Sequence, residues 1–210
     1  MKQYQHVDEL QRSYQGRKER IRQRLNEYAA VPEQQYFYEL VYCLMTPQSS
    51  AVNAGKAQKE FEQLGLLVND VDPEPVLFNK EHYIRFHHSK AEWIREMKGH
   101  FPEILSVTIG ELPAFEKREW FVKNVKGLSY KEATHFLRNI GKNNGLTILD
   151  RHILKNLKQY GVIRSIPSSL TRKHYYSIEK KFTAFAQQVG ISVDELDLLF
   201  WSNETGEILK

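Results

Sequence analysis

The sequence predicts an all-α protein, and three observations support that prediction. Apolar residues recur at three- and four-residue steps along most of the chain, as on the buried face of an amphipathic helix. No segment shows the alternation of apolar and polar residues that is typical of a half-buried strand. Breakers such as Pro32 and Gly190 end helical patterns where a helix should stop.

Short connections separate the predicted helices. The first is a basic amphipathic helix over residues 7–30, and the next, over residues 33–46, is so continuously apolar that we expect it in the core. Residues 70–81 contain proline and lack a period, which predicts a loop or short turns. The other predicted helices cover residues 51–64, 90–97, 110–124, 130–140 and 151–160, the stretch from Ser168 or Ser169 to Gly190, and residues 194–201.

The composition is ordinary for a soluble globular protein, and we expect an intracellular one. Of its 210 residues, 41% are hydrophobic and 27% are charged, which is enough for a full core in one or two domains. No apolar run reaches membrane-spanning length, and the first residues lack the apolar core of a signal peptide, so we expect no membrane association. Cys43 is the single cysteine, which excludes an internal disulfide and a four-cysteine cluster.

Positive charge is concentrated in two parts of the chain. The net charge of +4 alone does not identify a nucleic-acid partner. Residues 12–24 carry six lysines and arginines against the single acid Glu19, and Lys123, Lys126 and Lys131 follow one another closely. Each group by itself is equally compatible with a solvated surface. Together they favour contact with phosphates.

The segment Val125-Lys126-Gly127-Leu128-Ser129 predicts a hairpin between two helices, because it is too short for a pair of strands. Ser129 is a good N-cap, and Glu132 three residues later completes a capping box. Lys131 then falls in the first helical turn, where free N–H groups and the positive end of the helix dipole disfavour an ammonium group. A lysine at this position therefore suggests a functional role.

The helix after the hairpin has one apolar face, formed by Ala133, Phe136, Leu137 and Ile140. The opposite, polar face is predicted to carry His135, Arg138 and Asn139. After a turn at Asn143-Asn144-Gly145, Asp150 is placed to cap the helix that begins at Arg151.

These residues carry a resemblance to a known family. The stretch VKGLSYKEATHFLRNIG, followed by TILDRHIL, resembles the archaeal-type 8-oxoguanine DNA glycosylase/AP lyases of the helix-hairpin-helix glycosylase superfamily. Ser129 stands where that family usually has a second glycine, and the interval from Lys131 to Asp150 is about one residue longer. The resemblance implies two helical subdomains, residues 30–145 and residues 1–29 with 146–210, and an active-site cleft between them.

The resemblance also implies a reaction in base excision repair. Lys131 would attack C1′ of an 8-oxoguanine nucleotide in duplex DNA, release the base, and cleave the strand by β-elimination through a Schiff base. Asp150 would be the essential carboxylate, stabilising the oxocarbenium-like sugar and moving a proton. The protein would be a bifunctional DNA N-glycosylase and AP lyase. We expect a monomer without an iron–sulfur cluster or other cofactor, in the cytoplasm or nucleoid of a prokaryote.

Further residues would hold the DNA backbone. N–H groups around Gly127 and Ser129 would face a phosphate, and the resemblance alone suggests a Na⁺ or K⁺ ion on the carbonyls of Lys123, Val125 and Leu128. Gln48 follows Thr46 and Pro47 in the loop before the next helix. It is either a loop residue near a helix cap or, by the resemblance, the residue that fills the gap left by the flipped base.

The resemblance places an aromatic residue at Phe86 against the flipped base, although an aromatic residue is more often part of a core. We expect Phe86 and Trp201 to stack on the two faces of the base, and the terminal carboxylate of Lys210 to accept a hydrogen bond from N7–H, which guanine lacks. A frayed, solvated terminus is the alternative for Lys210. His82, His87 and His88 are not expected to bind metal, since adjacent histidines point to different faces.

Two other functions remain compatible with the sequence. One is a related glycosylase for other base lesions, which a panel of lesion duplexes would separate from an 8-oxoguanine enzyme. The other is a non-enzymatic helix-hairpin-helix DNA-binding module, in which Lys131 and Asp150 would be coincidental surface charges. In that module, Lys131→Gln would change little beyond the salt dependence of DNA binding.

Overall fold

The computed structural model describes residues 3–208, and within that range all regular structure is helical, as predicted. The chain forms two compact units, which we call the hairpin unit, residues 31–140, and the terminal unit, residues 1–30 with 141–210. The boundary expected after residue 145 lies after residue 140. The reason is a contact within the terminal unit, where Asn143 Nδ2 donates to Asp194 Oδ1 at 2.6 Å. None of the described helices is long and apolar enough to cross a membrane.

The hairpin unit is built around its first α-helix. Its elements are a 3-10 turn, Glu33–Gln35, and the helices α3 (Tyr36–Met45), α4 (Ala51–Gln63), α5 (Pro73–Leu77), α6 (His87–Gly99), α7 (Phe101–Ile109), α8 (Ala114–Asn124) and α9 (Tyr130–Asn139). All ten residues of α3 are buried, as its continuous apolar sequence predicted. Helices α4, α6 and α9 all contact it.

In this unit one helix was missed and the start of another was predicted wrongly. Helix α7 was not predicted, although Pro102 lies in its first turn, where a proline ring fits because that N–H has no helical partner. Helix α8 begins at Ala114 and not at Gly110, because Gly110 is extended and Pro113 fixes the backbone just before the helix.

The terminal unit combines both ends of the chain. Its helices are α1 (Val7–Gln15), α2 (Lys18–Ala29), α10 (Arg151–Gln159), α11 (Arg172–Val189) and α12 (Val193–Thr205). The single helix predicted over residues 7–30 is two helices, which separate at Gly16 and Arg17. A glycine inside a helix costs about 1 kcal/mol relative to alanine, so Gly16 favours a break there.

A cluster of hydrogen bonds joins the first two helices of this unit to the last. Glu195 on α12 accepts from the Tyr14 hydroxyl at 2.7 Å and from Arg22 Nε at 3.0 Å. Burial alone would raise the pKa of Glu195, but these hydrogen bonds and those from Ser192 outweigh it and lower the pKa to about 2. Arg22, one of the basic residues predicted to favour phosphate contact, thus pairs with Glu195, although half of the Arg22 side chain stays exposed.

Candidate active site

The hairpin depends on a glycine that no other residue can replace without strain. Helix α8 ends at Asn124, Val125 is extended, and the Leu128 N–H donates to the Val125 carbonyl at 3.2 Å. Gly127 has φ +90°, in the left-handed region. A Cβ atom on Gly127 would lie 2.4 Å from Cε3 and 2.8 Å from Cδ2 of the Trp93 ring. The backbone of the hairpin therefore lies directly against an aromatic ring of α6.

The predicted capping box is present at the start of α9. Glu132 accepts from the Ser129 backbone N–H at 3.3 Å and from the Ser129 hydroxyl. Lys131 lies between them in the first turn, with its side chain 21% exposed, and its Nζ is 3.6 Å from Glu132 Oε1. One carboxylate thus fixes the turn after the hairpin and also pairs with the predicted nucleophile.

The polar face predicted for α9 is not a surface. His135, Arg138 and Asn139 are all buried, with 6%, 5% and 0% of their surface exposed. Asn139 Nδ2 donates to Glu39 Oε2 on α3 at 3.1 Å. Helix α9 is therefore buried on both faces, which fixes the helix that carries Lys131.

A second lysine, which no sequence motif marks as a site residue, lies in the same unit. Lys90 on α6 is 1% exposed, and its Nζ donates to the carbonyls of Met45 and Pro47, each at 2.7 Å. Burial lowers the pKa of Lys90 to about 8; the charge of Glu132 raises it and that of Lys131 lowers it further. The sequence signal was its spacing, because Lys90 lies on the apolar face with Ala91, Ile94 and Met97.

The loop of residues 46–50, which we call the Gln48 loop, joins α3 to α4. Gln48 is exposed and has φ +56°, a conformation that is uncommon outside glycine. The Ser49 backbone N–H donates to the Thr46 carbonyl at 3.1 Å, and Ser50 caps α4 by accepting from the Asn53 N–H at 3.4 Å. The loop is thus ordered by its own hydrogen bonds while the Gln48 side chain is left at the surface.

Phe86, at the start of α6, has the same unusual backbone conformation. Its φ is +61°, and 48% of its surface is exposed, so it is not a core residue. The Arg85 guanidinium carbon lies 5.0 Å from the centroid of its ring. Phe78 and Tyr83 are also large, exposed aromatic residues and pack edge to face at 6.0 Å. An exposed aromatic ring beside a cation suits contact with a base and a phosphate.

In the terminal unit, Asp150 is the N-cap of α10, as predicted. Its Oδ1 accepts from the backbone N–H groups of His152 and Ile153, both at 2.8 Å, and its Oδ2 accepts from Trp201 Nε1 at 3.1 Å. Three N–H donors thus hold one carboxylate in a single orientation. The structure brings Asp150 and Trp201 together, an association that the sequence did not reveal, since they are 51 residues apart.

Trp201 also packs edge to face against His152, with 5.7 Å between ring centroids. Ile208, close to the end of the described chain, is 7% exposed, and its carbonyl accepts from Arg24 at 3.4 Å. Lys210, predicted to recognise the base, lies outside the described residues.

The histidines behave differently from the prediction. The rings of His87 and His88 do not diverge but lie 4.0 Å apart between centroids, because both occupy the first turn of α6. Together with Glu74 they form a group of possible metal ligands, in which His88 Nδ1 is 2.7 Å from Glu74 Oε1. The positive end of α6 and Arg95, 3.9 Å from the other Glu74 oxygen, disfavour a cation there. The contacts of Glu74 with His88 and Arg95 account for this group.

Similarity to known proteins was found along almost the whole chain. A family model for 8-oxoguanine DNA glycosylase matches residues 18–191. The 8-oxoguanine DNA glycosylase/AP lyase of Fusobacterium nucleatum is 38% identical, with 100% of both chains covered, and that of Korarchaeum cryptofilum is 36% identical over 92% of this chain and 91% of its own.

Two crystal structures are similar to the whole fold. The 8-oxoguanine DNA glycosylase of Thermotoga maritima matches with a TM-score of 0.85 and 32% identity, covering 97% of this chain and 98% of its own. The 8-oxoguanine glycosylase/lyase of Methanocaldococcus jannaschii, in complex with a 15mer DNA containing 8-oxoguanine, matches with a TM-score of 0.84 and 31% identity, covering 96% and 99%.

Proposed function

Because this chain belongs to the 8-oxoguanine DNA glycosylase family, we propose that it removes 8-oxoguanine from duplex DNA and cleaves the strand at the resulting abasic site, with Lys131 as the nucleophile. The observation that carries the assignment of Lys131 is its position. It is the lysine in the first turn after the hairpin, on a helix that is buried along both faces. An ammonium group is unfavourable at a helix N-terminus, so a structural role does not explain it.

Lys131 acts as an amine. Its nitrogen forms a bond to C1′ as the bond from C1′ to the base breaks, and the base leaves with the electron pair of that bond and takes up a proton. Loss of a proton from nitrogen and opening of the sugar ring give a Schiff base, from which a C2′ proton and the 3′ phosphate are eliminated. Before attack, the ammonium must leave its ion pair with Glu132, which is 3.6 Å away.

Asp150 provides negative charge in a fixed orientation. Its carboxylate already accepts three N–H groups, so its position is set before any substrate binds. A preorganised carboxylate stabilises positive charge that develops on the sugar without reorganisation during the reaction. We assign this role to Asp150, together with proton transfer during formation of the Schiff base.

The remaining predicted residues are assigned to DNA. Gly127 and Ser129 present backbone N–H groups to a phosphate, and Gln48 enters the gap that the flipped base leaves. Phe86 and Trp201 stack on the base; the 48% exposure of Phe86 supports this role. Stacking contributes about 1–3 kcal/mol per base and does not distinguish 8-oxoguanine from guanine.

We further propose a Na⁺ or K⁺ ion on the carbonyls of the hairpin. Helix α8 ends at Asn124, so the Lys123 carbonyl belongs to its negative end, and the Val125 carbonyl accepts only the Leu128 N–H among the described turn and cap hydrogen bonds. These two carbonyls and that of Leu128 are hard oxygen ligands of the kind that alkali ions take. The bound ion would supply a positive charge between the hairpin and a phosphate.

Reductive trapping tests the assignment. With borohydride and a duplex containing 8-oxoguanine, the wild-type protein should form a covalent complex with the DNA, and Lys131→Gln should form none while its thermal unfolding is unchanged. Lys126→Gln is the matched control, because Lys126 lies in the same hairpin and pairs with Glu96 at 3.4 Å. Trapping by Lys131→Gln would show that another residue is the nucleophile. Binding without trapping by the wild-type protein would favour the non-enzymatic module.

A further inference from the structure

The two surface residues assigned to the flipped base and to the gap it leaves share an unusual feature. Gln48 and Phe86 are two of only four non-glycine residues with positive φ in the described part of the chain. The left-handed conformation is unfavourable for both, and more so for a bulky side chain. Backbone in such a conformation persists only where the surrounding structure holds it. The contacts that hold these two positions therefore bear on function.

Lys90 holds the Gln48 loop from inside the hairpin unit. Its three N–H groups are all used, by the carbonyls of Met45 and Pro47 at 2.7 Å and by the Ser49 hydroxyl at 3.2 Å. Met45 is the last residue of α3, where a cation interacts favourably with the end of the helix. Three bonds from one buried ammonium group thus fix the backbone on both sides of Gln48.

Ser49 connects this ammonium group to the second position. Its hydroxyl oxygen also accepts from the Arg85 backbone N–H at 3.0 Å, and Arg85 directly precedes Phe86. Close by, Asn53 Nδ2 donates to the Tyr83 carbonyl at 3.2 Å. The Gln48 loop and the turn before α6, residues 83–86, are therefore joined through one hydroxyl group that Lys90 orients.

The cost of Lys90 shows that filling space is not its task. Burial lowers the pKa of its ammonium group to about 8, which means that the fold disfavours the charge it carries at neutral pH. A methionine of similar length would fill the same volume without that cost. It would, however, leave the carbonyls of Met45 and Pro47 without their donor.

We propose that Lys90 is a positioning residue which, through Ser49, holds the Gln48 loop and the turn at Phe86 in the conformation that receives a flipped base. This inference rests on the proposed roles of Gln48 and Phe86. Lys90 itself makes no bond to the DNA, because it is buried and its N–H groups are used by the Gln48 loop and the end of α3. It predicts that steps requiring base flipping depend on Lys90, whereas reaction at a site that already lacks its base does not.

The test compares two substrates in single-turnover experiments, a duplex containing 8-oxoguanine and a duplex containing an abasic site. Lys90→Met should lower 8-oxoguanine excision by roughly 10- to 100-fold, the loss expected when a binding element is misplaced by about 1 Å. Cleavage at the abasic site should stay near the wild-type rate. The fluorescence increase of 2-aminopurine placed beside the lesion, which reports base flipping, should be reduced in parallel.

Matched variants control for folding and charge. Lys98→Met removes a lysine from the same helix, whose Nζ donates to the Asn69 carbonyl at 2.6 Å and not to the Gln48 loop, and it should leave both reactions unchanged. Ser49→Ala removes the connecting hydroxyl and leaves the Lys90 ammonium group on its two carbonyl acceptors, so it should show the same substrate-selective loss even if Lys90→Met does not fold. Ser49→Thr keeps the hydroxyl and should retain activity.

Two results would overturn the inference. One is normal 8-oxoguanine excision by folded Lys90→Met and Ser49→Ala. The other is an equal loss on both substrates, which would place the effect of Lys90 on the chemistry of Lys131 and not on base flipping. Failure of the proposed function itself looks different, because then even the wild-type protein would not be trapped on the abasic duplex by borohydride.

Discussion

Gly127→Ala is the substitution for which the structure gives the clearest magnitude. Alanine at φ +90° would be strained, at a cost of about 1–2 kcal/mol for a left-handed residue. The added Cβ would also lie 2.4 Å from the Trp93 ring, and overpacking of this kind costs about 1–3 kcal/mol. The free energy of unfolding should therefore fall by about 2–5 kcal/mol. For a protein of this size, that corresponds to a decrease in Tm of roughly 4–20 °C.

Thermal unfolding followed by circular dichroism measures the loss of stability. Binding to an undamaged duplex shows whether the altered hairpin still holds DNA. Gly55→Ala is the control, because Gly55 lies inside α4 without a positive φ, and a Cβ atom added there would meet nothing within 4 Å. Alanine there should raise stability by about 0.5–1 kcal/mol. In a variant that combines Gly127→Ala with Trp93→Ala, the overlap with the Trp93 ring is removed, and the part of the Gly127→Ala destabilisation that remains is the backbone strain. A Tm within about 1 °C of wild type for Gly127→Ala would refute the reasoning.

Three further predictions concern the terminal unit. Asp150→Asn should keep the cap of α10, since asparagine caps as well as aspartate, yet lose base excision by orders of magnitude while binding lesion DNA at least as tightly; near-normal excision would remove Asp150 from the mechanism. Trp201→Phe should retain stacking but lose the 3.1 Å hydrogen bond to Asp150. We expect kcat to fall while the affinity for lesion DNA is unchanged, which would assign that bond to catalysis. A loss of affinity alone would contradict this. The lowered pKa of Glu195 means that its stabilisation is present above about pH 4.5 and is lost as the pH falls toward 2, by at most about 3 kcal/mol. In urea unfolding, Glu195→Gln should be less stable at pH 6 and should show a weaker pH dependence than wild type; an unchanged pH dependence would show that the charge of Glu195 is not responsible.

The local sequence correctly predicts those parts of the site that depend on residues close together in the chain. The capping box of Ser129 and Glu132 and the cap at Asp150 each depend on residues no more than three positions apart, so the pattern alone predicts them. The family resemblance based on the hairpin and Asp150 is confirmed by the family model and by the relatives.

What the sequence did not reveal depends on distant packing. His135 and Asn139 lie on the polar face of the sequence pattern, but both are buried, with Tyr42 and Glu39 of α3 against them. Lys90 is separated by 45 residues from Met45, whose carbonyl it binds, and no local pattern predicts such a pair. The break at Gly16 was missed because the periodicity of apolar residues continues across it.

The hydrogen bond from Tyr14 to Glu195 also has a consequence for synthesis on the ribosome. The two residues are 181 positions apart, so at about 5–20 residues per second the partner of Tyr14 emerges roughly 10–40 s later. The hairpin unit, continuous from residue 31 to 140, is complete well before then. During that interval the apolar faces of α1 and α2 have no α12 to pack against, and this is when a nascent chain would be most exposed to chaperones and proteases.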